Sequence, residues 1–235
     1  MNTNSNTYTV IYSTVLVMVV AAVLAFAAEF LKPAQETNVK QEAIGQIIKA
    51  ASIEGTDVLS TYSEQIEKAI LVNGNGEVVG ELATDRNNIK VYSTTDLKKQ
   101  TKITNPAELE LPVYVFKNGI TVVPCYGPGL WGPIWGYVGF EKDLNTISRA
   151  VFDHKGETPG LGDKITKPVF YEQFPGKTLG TDGEYFKVMK AGTASANNEV
   201  DAISGATITS QAMGKTLNQW FGFYASYFKN NKVEE

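Results

Sequence analysis

The sequence predicts an α+β protein: a mostly antiparallel twisted sheet flanked by helices, carried behind one N-terminal transmembrane helix. Three observations lead there. Residues 10–28 (VIYSTVLVMVVAAVLAFAA) run 19 positions without a charge, close to the roughly 20 apolar residues that cross a bilayer as a helix. Strand-like runs then follow one another through short turns, at 111–116, 120–126, 134–140 and 146–152. From residue 209 the period becomes helical, with Met213, Leu217, Trp220, Phe221, Tyr224 and Phe228 on one face. Hairpins in series with helices at the ends make an α+β pattern.

The N-terminal run divides the chain. Ala25-Phe26-Ala27 has the small-x-small form of a signal-peptide cleavage site. Residues 1–9 nevertheless carry no Lys or Arg, which a signal peptide wants ahead of its apolar stretch. The reading is therefore a tail at 1–9 and an uncleaved transmembrane helix at 10–31. A linker and helical segment follow at 32–75, and the main domain occupies 76–235. Residues 32–40 (KPAQETNVK) are polar and contain a proline, as a linker does; Ile44, Ile47 and Ile48 then share a helical face. Lys32 and Lys40 are the basic side chains nearest the span. Taken alone, they put the main domain in the cytoplasm by the positive-inside bias, a bias that large domains override.

Within the main domain, Asn73-Gly74-Asn75-Gly76 makes a turn before a strand at 77–83, and Asn118-Gly119 sits between two β-rich runs, a strong hairpin signal. A polar turn at 142–145 joins two more strands, and 185–190 reads as another.

Composition excludes several functions. The chain has 235 residues, 43% hydrophobic and 20% charged, with 21 basic against 25 acidic side chains. A net charge of -4 gives no electrostatic ground for binding nucleic acid. The single cysteine, Cys125, rules out an intramolecular disulfide and any multi-cysteine metal site, and the single histidine, His154, rules out a His-rich metal centre.

Three motif matches fail on context. Residues 127–132 (GPGLWG) fit G-x-G-x-x-G, but Pro133 and a strand follow where a dinucleotide site needs a helix. Gly176-Lys177-Thr178 ends like a P-loop, yet Tyr171 stands where its first glycine belongs. No G-x-S-x-G elbow accompanies His154, which reads equally as a strand-end residue bonded to backbone.

Two segments carry chemistry. Asp201-Ala202-Ile203-Ser204-Gly205-Ala206-Thr207 is rich in small residues that admit a ligand to the backbone, and a long amphipathic helix follows it. A helix start presents unpaired N–H groups and partial positive charge, a natural phosphate site. The same residues also fit an ordinary capped helix start. The second segment, residues 154–163 (HKGETPGLGD), packs three glycines and a proline into a tightly specified loop, which could equally be a connector capped near Asp163.

Asp201 with Ser204-Gly205-Ala206-Thr207 resembles the flavinylation motif of bacterial FMN-binding domains, and Glu157-Thr158-Pro159-Gly160-Leu161-Gly162 resembles that family's second signature. Together with the anchor, over nearly the whole chain, they are similar to the C subunit of the sodium-translocating NADH:quinone reductases. The related G subunit of the Rnf electron-transport complex is the rival reading, an alternative electron-transfer subunit; Gly129-Leu130-Trp131-Gly132 favours the former. The resemblance implies an electron-transfer component of a respiratory complex, with FMN joined by a phosphoester to Thr207 by a separate flavin transferase. It further implies a bacterial inner-membrane location with the main domain periplasmic, and the other subunits of the complex as partners. Ser204, Gly205, Ala206, Gly160 and Gly162 would line the cofactor. Leu130, Trp131 and Leu161 would wall its ring, and Glu157 and Thr158 would supply polar contacts. No residue need act as acid, base or nucleophile toward a substrate, because the chemistry is the flavin's. A membrane-anchored binding module without cofactor is the alternative of a different class.

Overall fold

The computed structural model describes residues 5–181 and 183–232. It divides into two units, Met1–Glu42 and Ala43–Glu235. Helix α1 is Asn6–Ala50. Residues 1–4 of the expected tail lie outside the described residues, and the helix takes in 6–9. The expected linker at 32–40 is also helical. Gln, Glu, Ala and Lys are good helix formers, and Pro33 removes only its own N–H bond and crowds one carbonyl. The most apolar stretch of α1 has mean hydropathy 2.6 and no part of it is buried.

The second unit is built on a six-stranded antiparallel sheet in the order β2-β1-β3-β4-β5-β6. Its strands are β1 Ile66–Val72, β2 Val78–Glu81, β3 Leu111–Phe116, β4 Thr121–Pro128, β5 Pro133–Phe140 and β6 Ile147–His154. The sheet therefore starts ahead of residue 76. The expected boundary there falls inside the β1–β2 turn, because β1 pairs with β3 along its length. The foreseen turns at 73–76 and 118–119 form. Gly76 and Gly119 take positive φ, and the Asn73 side chain accepts the N–H groups of Asn75 and Glu77, each at 3.0 Å.

Alternation along β3 gives the sheet two buried faces. Leu111 and Val113 join one core, while Tyr114 and Phe116 join the other. The second core is covered by Ile44, Ile47 and Ile48 and by Tyr62 of helix α2 (Val58–Gln65). Gln46 Nε2 donates to Asp153 Oδ2 at 2.7 Å, tying that layer to β6. The first core is covered by helix α5, Thr207–Asn231, whose foreseen apolar stripe is buried from Met213 to Phe228. Each such large side chain contributes about 1.5–3 kcal/mol by leaving water. Tyr224 Oη donates to the Pro112 carbonyl at 2.8 Å, and this directional bond fixes the helix on β3. Helix α3 (Thr94–Gln100) carries a capping box between Ser93 and Asp96. After α4 (Pro168–Tyr171) come β7 (Lys187–Met189) and β8 (Glu199–Asp201), a short parallel pair.

Candidate functional site

Three segments distant in sequence meet at the N-terminal end of α5. One is the β4–β5 hairpin tip at 129–132, closed by Gly129 N–H donating to the Gly132 carbonyl at 2.8 Å. The second is the loop at 155–161, between β6 and a 3-10 helix at Gly162–Thr166. The third is the turn at 203–206 that opens α5.

Glu157 joins them. It is 4% exposed. Its Oε1 accepts the N–H groups of Leu130 at 2.8 Å and Trp131 at 3.0 Å, and its Oε2 accepts the hydroxyl of Thr209 at 2.8 Å. Both oxygens are thus occupied by the protein itself, so this carboxylate builds the loops rather than facing outward. A side chain at Gly129 would come within 2.5 Å of Oε1, and one at Gly162 within 2.5 Å of Oε2. The glycines are there because the acid fills their space. His154 ends β6 and its Nδ1 accepts the Glu157 N–H at 3.1 Å, the backbone role foreseen for it.

Thr207 is the first residue of α5 and is exposed. Ala206, the N-cap, has no side chain to bond the first turn. The first intrahelical bond runs from Ser210 N–H to the Ala206 carbonyl, at 3.0 Å, so the N–H groups of residues 207–209 make no bond within the helix. Gly205 adopts φ +81°, and Leu161 Cδ2 lies 3.3 Å from where its Cβ would stand. Ser204 and Thr158 are exposed, and the Thr158 carbonyl accepts the N–H of Leu161. Gly160 also has positive φ, with open space around it.

Around Thr207 apolar side chains are left in the open: Leu130 47%, Trp131 70%, Leu161 44% and Ile208 62% exposed. Trp131 is therefore no core residue. Ile208 and Thr209 have no site role in the sequence reading; the helical period, which sets Ile208 off the buried stripe, was the available signal. Asp163 Oδ1 is buried and accepts no hydrogen bond among the described residues.

Asp201 points elsewhere. Its carboxylate accepts the N–H groups of Thr193 and Ala194, each at 2.9 Å, and the Ala194 bond foremost holds it below its usual range. Gln173 brackets its backbone, accepting from Asp201 N–H at 2.8 Å and donating to its carbonyl at 3.2 Å. The acid of the motif thus anchors the chain leading into the turn.

The arrangement fits a flavin mononucleotide. An uncapped start of a 25-residue helix suits a phosphate, a glycine-lined turn allows close approach, and an exposed indole and leucines suit a planar ring. The fold and site define an FMN-binding domain: residues 129–222 match the FMN-binding domain family model. The C subunit of the Na(+)-translocating NADH-quinone reductase of Neisseria meningitidis serogroup B is 30% identical over 228 residues, covering 87% of this chain and 85% of that protein. That of Vibrio parahaemolyticus is 31% identical, covering 88% and 87%. The crystal structure of the Parabacteroides distasonis C subunit superposes with a TM-score of 0.72 at 34% identity, covering 87% of this chain and 98% of that one. The chain belongs to the family formed by the C subunits of the Na(+)-translocating NADH-quinone reductases.

Proposed function

We propose that this chain is the electron-transferring C subunit of a sodium-pumping NADH:quinone reductase, with FMN joined covalently through its phosphate to Thr207 Oγ1. The observation that carries this is Thr207 itself: an exposed threonine at the first residue of an uncapped helix, inside the segment that resembles a flavinylation motif. On attachment the hydroxyl loses its proton, a bond forms between Oγ1 and phosphorus, and the donor's leaving group departs with its bonding electrons. That step falls to a separate flavin transferase, since no base stands ready beside Thr207 among the described residues.

The bound flavin supplies the electron transfer. The chain's residues hold it. The helix start stabilises the phosphate's charge, by roughly 0.3–1 kcal/mol at an exposed site. Leu161, Leu130 and Trp131 offer the apolar wall, and Thr158, Ser204 and the glycines at 160 and 205 line the approach, whereas Gly162, expected beside the cofactor, is buried against Glu157 and Thr209. Residues 10–31 cross the bacterial inner membrane, and the main domain faces the periplasm beside the other subunits of the complex.

Thr207→Ala tests the attachment. Co-expressed with the transferase, the variant should fold and show no flavin fluorescence on a denaturing gel, while Thr209→Ala keeps its signal. Fluorescence retained in Thr207→Ala overturns the assignment. The native protein made without the transferase should likewise fold without covalent flavin.

A further inference from the structure

We propose that Glu157 is a positioning residue of this site: its enclosed carboxylate clamps the 129–132 wall to the first turn of α5 and so sets where that wall stands relative to Thr207. The inference rests on the flavin reading above but is argued from the protein alone.

The three donors to Glu157 come from two segments, Leu130 and Trp131 on one side and Thr209 on the other. No Lys, Arg or His side chain forms an ion pair with it among the described residues. A carboxylate that accepts on both oxygens is a two-sided connector, and bonds to charged groups are the stronger kind. Gly129 and Gly162 lie against its two oxygens, where an added Cβ would stand 2.5 Å from each. Thr209 is two residues past Thr207, on the same helical turn. The exposed Leu130 and Trp131 side chains hang from the two amides the clamp holds. A carboxylate serving only fold stability would not need to join the tip that bears the exposed indole to the turn that bears the attachment hydroxyl.

Glutamine can keep its Oε1 on the Leu130 and Trp131 amides and donate from Nε2 to the Thr209 hydroxyl, which accepts as well as donates, so the test removes the side chain altogether. In the full-length protein without flavin, Glu157→Ala should speed hydrogen exchange at the Leu130 and Trp131 amides at least about tenfold, with exchange along β3 unchanged. In the flavin-loaded protein, Thr209→Ala should retain the covalent cofactor but change its visible circular-dichroism band, and Thr209→Ser should restore that band. Should Glu157→Ala fail to fold, the Thr209 pair carries the test by itself. Unaltered amide exchange in folded Glu157→Ala, or a native flavin band in Thr209→Ala, overturns the proposal. Flavin persisting in Thr207→Ala would instead sink the attachment reading while leaving the amide-exchange result to stand.

Discussion

The indole of Trp220, fully buried in α5, donates from Nε1 to the main-chain carbonyl of Tyr126 on β4 at 2.7 Å. Three residues beyond that carbonyl lies Gly129, where the clamped tip begins. The bond therefore fixes the helix that bears Thr207 to the strand that leads into the tip bearing Leu130 and Trp131. Trp220→Phe keeps most of the packing but leaves a buried carbonyl unsatisfied, at about 1–3 kcal/mol. Trp220→Ala adds a cavity, for a loss of about 3–5 kcal/mol. Urea unfolding should rank them native, Phe, Ala; equal midpoints for native and Phe would deny the bond any energetic role.

Gly205 should not tolerate a side chain. At φ +81°, alanine costs about 1–2 kcal/mol in the left-handed region, and its Cβ would press Leu161 Cδ2 at 3.3 Å. Gly205→Ala should lower both the thermal midpoint and the yield of covalent flavin. Full loading at native stability would show that the turn is not conformationally demanding.

Asp201 predicts an acid-side effect. Its carboxyl is held below the ordinary value by the Ala194 and Thr193 N–H groups. The stability it contributes is thus complete above the unfolded-state value near 3.9 and disappears as pH falls through the lower folded value. Asp201→Asn should destabilise the protein at pH 7, and the gap from native should close at strongly acidic pH. A gap constant with pH would assign the loss to packing instead.

Cys125 and a surface cysteine together test topology. Burial pushes the Cys125 thiol up to about 12, so it should stay unreactive until denaturant is added. Asn87 is exposed. Asn87→Cys should therefore react with a membrane-impermeant thiol reagent in intact spheroplasts. Labelling only after lysis would put the domain in the cytoplasm, as Lys32 and Lys40 alone imply.

The legible elements were those whose pattern is local. The stripe of α5 and the run of β3 follow from strict periods, and Asn118-Gly119 from turn chemistry. Strand β1 was illegible because its register shifts between Ile66 and Lys68, leaving Glu67 and Lys68 exposed side by side and breaking the period of two. Polar content at 32–40 masked a helix because polarity says nothing against helical φ and ψ. At the site, Thr207 was readable as a motif. The inward turn of Glu157 was not: its partners lie 26, 27 and 52 residues away, and only folding brings them to it.

That separation imposes an order of events. A chain released as far as residue 206 has neither the hydroxyl proposed for attachment nor the helix that would receive a phosphate, and its hairpin tip lacks the tether to Thr209. Under the proposed attachment, cofactor loading follows folding of the whole domain, and protein made without the transferase would be a finished, colourless pool still open to later loading.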